Sequence, residues 1–349
     1  MSPEQDYERL YRLIVRVMLT AVAIFVVLAA VWKLLDLLVL LFGAVVIAVL
    51  IRALADWIAG RTPLGGGWSV AAAILSIVAI LAALGVAFGS TVQIQFVELL
   101  ETLPSAWESL RANVEAMPGG EYLVRAMENA SPADSGFFAN AGTIVMAVGG
   151  ALVNLLLVLF GAVFLAGNPH LYRTGVLKLV PERRRALADE AMMDSARALK
   201  RWLLGQLVSM AVVGTLTGLG LWLLGVPSAL ALGVVAGVAE AIPYAGPIIA
   251  AIPGLLIALL AGPQTALWTL FLYVAIQQIE GILVMPMVQK RVVSLPPALT
   301  VFGIVAAGLL FGTVGLIFAA PLLVVAYVMV KKLYVQEALG TDTPIPGEK

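Results

Sequence analysis

Three apolar runs, Leu13–Trp32, Leu37–Leu54 and Trp68–Val92, fill most of the first 92 residues. A hydrocarbon core about 30 Å thick is crossed by a helix of about 20 apolar residues. Every backbone N–H and C=O inside that core must be paired within the structure, so runs of this kind fold as helices. Composition agrees. Hydrophobic residues make up 62% and charged residues 12% of the chain, where a soluble domain carries about 25% charged residues. The mean hydropathy is +1.03. This is an integral membrane protein.

The second run begins as soon as Lys33 and Asp36 close the first, which predicts a tight hairpin of two spans; Arg52 and Asp56 end it. The first dozen residues are charged, and the first run lacks a small-residue cleavage pattern, so it reads as a retained span. Arg61-Thr-Pro-Leu-Gly-Gly-Gly is a turn by composition. Residues 93–140 become polar. Val97, Leu100, Leu103, Trp107 and Leu110 recur at three- and four-residue spacing, which predicts amphipathic helices on or beyond the membrane surface. This block is acidic, and a solvated cap is its simplest reading.

Gly142–Gly167 is a fourth span. Residues 168–201 carry Arg173, Lys178, Arg183, Arg184, Arg185, Arg197, Lys200 and Arg201. Basic loops stay in the cytoplasm. Counting back then puts the 93–140 insert outside, and the Arg61 turn and the N-terminus inside. A helix over Ala186–Gln206 should enter the membrane near Trp202 and continue to Leu224. Its Gln206, Ser209, Thr215 and Thr217 suit helix packing or a path; packing is the commoner use.

The stretch Ala229–Gly262 holds two apolar arms around Ile242-Pro243-Tyr244-Ala245-Gly246-Pro247. Two prolines and a glycine within five positions oppose a continuous helix, because proline removes a donor and clashes with the preceding turn. A hairpin with non-helical backbone at its tip is predicted, which the membrane tolerates only inside protein or beside water. Glu240 stands three residues before Pro243. An ionisable group beside broken helix in a span is a functional candidate. Thr265–Met285 returns as a full span with Gln277, Gln278 and Glu280 near its inner end. Gln289, Lys290, Arg291 and Pro296 lie in a cytoplasmic loop. Two more short arms, Ala298–Phe311 and Gly315–Val330, form a second hairpin of opposite orientation, and Lys331 and Lys332 end it inside. Paired, interrupted segments of this kind point to the site of a secondary transporter; ordinary antiparallel helix pairs with glycine for packing are the alternative.

The expected fold is all-α, a polytopic helical membrane protein of about eight spans, counting two short-armed hairpins that either re-enter or cross. Its segments are the N-terminal helices 1–92, the extracytoplasmic insert 93–140, a span at 141–167, a cytoplasmic basic segment 168–201, a transport core 202–333 with hairpins 229–262 and 298–330, and a cytoplasmic tail 334–349.

Cysteine is absent, so disulfides and thiol chemistry are excluded. The one histidine, His170, lies outside the spans, and Asp36 and Asp56 sit at helix ends, so neither a nucleophile–base pair nor an aspartyl dyad is in view. No enzyme, metal site or cofactor is expected. No basic stripe with interleaved aromatics suggests nucleic acid. The expected partners are the bilayer and a small polar solute, or a monovalent cation and a proton.

Glu240-Ala-Ile-Pro-Tyr-Ala-Gly-Pro-Ile-Ile-Ala-Ala-Ile-Pro-Gly resembles the hallmark of the autoinducer-2 exporter family, the PerM-like permeases. So do Gln278-Ile-Glu-Gly-Ile-Leu-Val-Met-Pro-Met-Val-Gln-Lys-Arg-Val-Val-Ser-Leu-Pro-Pro and Gly308-Leu-Leu-Phe-Gly-Thr-Val-Gly-Leu-Ile-Phe-Ala-Ala-Pro-Leu. The resemblance covers about Arg197 to Lys332. One departure is Gly281, where the family commonly has Asn after the glutamate. The resemblance implies a bacterial inner-membrane, multi-pass transporter with both termini cytoplasmic, and a homo-oligomer, a pentamer being suspected. Its members have been assigned two activities, export of the quorum-sensing signal autoinducer-2 and sodium or lithium exchange for protons. For the first, Pro243, Tyr244, Gly246, Pro247, Gln277 and Gln278 supply neutral donors, acceptors and exposed backbone. For the antiporter, Glu240 and Glu280 supply carboxylates. A non-transporting membrane scaffold is the reading of another class.

Overall fold

The computed structural model describes residues 3–63, 65–115, 141–284 and 295–343. Among the described residues the protein is all-helical. The helices are α1 Pro3–Ala59, α2 Gly66–Glu115, α3 Ala141–Gly167, α4 Pro169–Lys178, α5 Glu182–Leu223, α6 Ala229–Ala239, α7 Ala245–Leu260, α8 Pro263–Ile279 and α9 Pro297–Val330. Wider π-type turns, Glu280–Val284 and Lys331–Gln336, follow α8 and α9. Among the described residues four helices are long and apolar enough to cross a membrane, with α9 counted whole although its two arms meet at Gly312, and a bent pair at Asn168 makes a fifth. The expected eight spans include the arms α6 and α7, which are shorter than that.

Two boundaries differ from expectation. The hairpin predicted after Trp32 is not formed: α1 runs unbroken through Lys33 and Asp36. Trp32-Lys-Leu-Leu-Asp36 contains no glycine or proline, and charge alone does not stop a helix. At 57 residues and about 1.5 Å per residue, α1 is about 85 Å long, and its segment Leu37–Ala59 is long and apolar enough to cross a membrane. Its N-terminus lies at the opposite end from Arg61, so the same-side placement inferred through a hairpin loses its basis. Likewise α2 does not end at Val92 but continues through Pro104 to Glu115. The first half of the polar insert is therefore an extension of a span, and residues 116–140 lie outside the described residues.

On that extension the buried face is Leu99 and Ala106; Val97 and Leu100 of the expected stripe are exposed. The reason is docking. The Leu230 and Ala231 amides both donate to Gln95 Oε1 at 3.1 Å, and Ser228 Oγ donates to Glu98 Oε2 at 3.1 Å. Gln95 thus caps the first free N–H groups of α6. Leu99 joins Leu221, Leu232, Ile257 and Ala258 in one core cluster.

Both C-terminal hairpins form. The first is α6 and α7 around residues 240–244. The second is α9, whose two arms meet at Gly312 (φ 62°, ψ −150°). Ile304 and Ala307 of one arm pack with Ala319 of the other, a contact that one straight helix would not allow. Ile242, at the tip of the first hairpin, packs on this cluster, so the hairpins meet. The N-terminal helices have a core cluster of their own: Ala44, Ala48, Ile51 and Ala55 of α1 pack with Val70 and Ala73 of α2 and Val158, Ala162 and Ala166 of α3. Val46 links α1 to Leu199 and Leu203 of α5.

The predicted membrane-entering helix is α5, and its charged start is tied to the end of the second hairpin. Lys332 Nζ lies 3.2 Å from Glu190 Oε1 and 3.7 Å from Asp194 Oδ2. Asp194, 1% exposed, also pairs with Arg197. Lys200 and Arg52 both meet Asp56 at the end of α1. Nearby, Arg173 holds Asp189 with two bonds to its carboxylate. That contact keeps the Asp189 carboxyl below its usual range and raises the Arg173 guanidinium. Its contribution is present at neutral pH and is lost as acid protonates Asp189. Lys332→Met removes a cation from the nearly dry Asp194 while Arg197 stays. Removing one partner of a buried pair costs about 3–5 kcal/mol when nothing else compensates; with Arg197 remaining, about 1–2 kcal/mol is expected, visible as a lower Tm in detergent.

Candidate carboxylate site in the membrane

Glu240 is the C-cap of α6, where the chain leaves the helix. The turn beyond it is held by bonds from the Ile242 amide to Ala239 O (2.9 Å) and from the Gly246 amide to Ile242 O (2.8 Å). Tyr244 adopts φ 65°, an unfavourable conformation for a residue with a Cβ. Gly246 is required for a different reason: a Cβ there would collide with the Ala239 carbonyl. The tip is closed by backbone against backbone.

That tip brings the Glu240 carboxyl close to that of Glu280. Glu240 is 3% and Glu280 8% exposed. Ser209 Oγ of α5 donates to Glu280 Oε1 at 2.5 Å. Gln206 Nε2 donates to the Glu240 carbonyl at 2.6 Å. Glu240 Oε2 is buried with no hydrogen-bond donor. Glu280 itself opens the π-type turn that ends α8, a helix defect common at functional sites. Among the described residues no Lys or Arg forms an ion pair with either glutamate. The negative end of the α6 dipole adds to the same sign of field. Two ionised carboxylates in so dry a place would repel strongly, so a proton or a cation must balance them. Among the described residues no third acidic, histidine or cysteine ligand joins the pair, which fits a proton or monovalent cation better than a transition metal.

The other expected site residues are placed less centrally. Gly246 is buried, Pro243 and Pro247 are half-buried, and Tyr244 is exposed at the tip. Gln277 is half-buried and Gln278 exposed. Among the described residues none of the Tyr244, Gln277 and Gln278 side chains bonds the carboxylate pair. Gln289, Lys290 and Arg291 lie outside the described residues. Pro296 is exposed at the head of α9, its carbonyl taking the Thr300 amide at 3.1 Å. Gln206 and Ser209, for which the sequence leaves helix packing and a path both open, bond the Glu240 backbone carbonyl and the Glu280 carboxylate. Their signal in the sequence was two polar residues three apart in an apolar helix, but only the fold shows what they face.

A cleft of about 800 Å³ between α2, α5 and α6 runs from Gln95 and Trp222 to Val238, two residues from Glu240. Its walls, including Leu84, Phe88 and Met210, are apolar and suit a hydrocarbon chain better than a hydroxyl-rich solute.

The family model for the AI-2E family transporter matches residues 13–334. Relatives include "Putative transport protein YrrI" of Bacillus subtilis (strain 168), 31% identical over 48% of this chain and 47% of that protein. "Putative transport protein MT0215" of Mycobacterium tuberculosis is 32% identical over 58% of this chain and 54% of its own. "Putative permease PerM" of Escherichia coli (strain K12) is 29% identical over 49% and 48%. The chain spans about half the length of the curated relatives it matches. With the match running over both hairpins and the glutamate pair, the chain belongs to the AI-2E transporter family, whose relatives are named as transport proteins and permeases.

Proposed function

We propose that this protein is a secondary transporter of the bacterial cytoplasmic membrane in which Glu240 and Glu280 form one proton- or cation-binding site. The observation that carries this is a buried carboxylate oxygen without a hydrogen-bond donor, Glu240 Oε2, close to a second carboxyl, with no Lys or Arg paired to either glutamate among the described residues. Such a site binds a proton or a monovalent cation in turn. Because it lies between the tip of the first hairpin and α8, its occupancy can bias the position of that hairpin. The transported solute is a small polar molecule such as autoinducer-2, met by the exposed Tyr244, Gln278 and the backbone of the broken tip. The second reading, sodium or lithium exchange for protons, uses the same pair without a solute; the absence of a basic partner among the described residues supports it.

The C-terminal end of the second hairpin is cytoplasmic in this scheme, because Lys332 joins the basic start of α5. A homo-pentamer remains the expected assembly.

The test is flux in proteoliposomes. One set carries a pH-sensitive dye and receives sodium or lithium pulses; the other is loaded with autoinducer-2 under a proton gradient. Proton movement tied to either flux in the wild type, and lost in Glu240→Gln, supports the pair. Cation-driven proton movement without solute efflux selects exchange. Equal flux in wild type and Glu240→Gln would remove the pair from the mechanism.

A further inference from the structure

α5 and α8 run antiparallel, and their contacts fix the register. Ser209 bonds Glu280, Val213 and Ile276 share a core cluster, and Gly220 lies against Leu272. The buried face of α5 repeats every fourth residue: Gly205, Ser209, Val213, Thr217 and Leu221. The buried face of α8 is Thr269, Tyr273 and Ile276, with Glu280 next. This seam therefore carries polar groups beyond the carboxylates, in the direction away from the basic segment.

Two of them are orphans. Thr217 and Thr269 are 0% exposed, and neither hydroxyl has a hydrogen-bond partner. Helical threonines usually return the hydroxyl to the carbonyl of the preceding turn. Thr20, Thr102 and Thr300 do so here. Thr217 and Thr269 do not, although a buried hydroxyl left unpaired bears its full desolvation penalty. Valine would fill nearly the same space without that penalty. Between them in register, the Tyr273 hydroxyl reaches the Ala250 carbonyl only at 3.3 Å. Along their helices Thr217 lies about 12 Å from Ser209 and Thr269 about 16 Å from Glu280, at about 1.5 Å per residue.

We propose that the α5–α8 seam is the half of the translocation path that leads from the Glu240–Glu280 pair to the outer surface, with Thr217 and Thr269 as its polar lining. When the seam opens, their hydroxyls find the partners they lack in the closed form: water, and the proton carrier, cation or solute that follows it. This rests on the pair being the coupling site.

The chain has no cysteine, so single cysteines report without background. Thr217→Cys and Thr269→Cys are treated with a small membrane-impermeant thiosulfonate from the side opposite the basic segment. Ala258→Cys, from the apolar core and equally buried, is the control. The expected result is modification at both threonine positions at least about tenfold faster than at Ala258, a ratio worth about 1.4 kcal/mol of differential opening. In parallel, the double variant Thr217→Val/Thr269→Val is expected to keep or raise the Tm while lowering coupled flux at least fivefold. Modification no faster than at Ala258, or unchanged flux in the valine variant, overturns the path. If flux survives Glu240→Gln, the pair reading fails instead, and labelling still decides whether the seam opens.

Discussion

Gly233→Leu should abolish the folded protein. A Cβ at Gly233 would stand 2.7 Å from Gly218 Cα, 2.8 Å from Gly214 O and 2.9 Å from Gly218 N. All three are backbone atoms of α5, so nothing can rotate out of the way. The reciprocal positions agree: at Gly237 a Cβ would meet Met210 O at 2.9 Å. Gly214 and Gly218 on α5 oppose Gly233 and Gly237 on α6, the close approach that small residues four apart allow between membrane helices. Since α6 carries Glu240 at its end, separating these helices also dismantles the site. Overpacking costs about 1–3 kcal/mol when neighbours can yield; with rigid backbone on the other side a larger loss is expected. Gly218→Ala is the internal control. Its Cβ meets the same crossing at 3.6 Å, ordinary contact, and should be tolerated. Thermal unfolding in detergent and the yield of monodisperse protein measure both. A folded Gly233→Leu with unchanged Tm would contradict the crossing.

How much of this was legible in the sequence depends on the kind of constraint. The break at Pro243–Pro247 and the turn at Phe311–Gly315 were readable because proline and glycine act locally; the structure has its breaks at residues 240–244 and at Gly312. The end of the first span was not. Lys33 and Asp36 look like a membrane boundary, yet nothing there prevents α1 from continuing. The α2 extension was misread for a related reason: hydrophobic spacing picked Val97 and Leu100, while the docked face is set by Gln95 capping α6 and Glu98 accepting from Ser228, 130 residues or more later. Glu240 and Glu280 stood out singly as ionisable residues in apolar helix. That they lie close together, with Ser209 between α5 and α8, follows from the packing of three helices, and periodicity carries no such information.

Glu280→Gln and Glu240→Gln should each lower coupled flux at least about 100-fold, the equivalent of about 2.7 kcal/mol. The amide keeps the size of the side chain and can still accept from Ser209, so a loss would come from the missing titratable charge and not from shape. If the two carboxyls hold one proton or cation between them, they act as a unit, and effects within a unit are not additive. The Glu240→Gln/Glu280→Gln variant should then be no worse than the poorer single variant, where two independent sites would multiply their losses. Stability moves the other way. Each substitution removes one potential negative charge from a dry, same-sign site, so the Tm should hold or rise. Ser209→Ala gives the comparison, since it takes one donor from Glu280 and leaves both carboxyls; a loss of about tenfold or less is expected for one charge-assisted bond of about 1.5 kcal/mol. Flux and Tm measured on all four variants separate the cases. Multiplied losses in the double variant would mean two separate sites, and a Tm that falls with flux would mean that the pair holds the helices together and does not carry the ion.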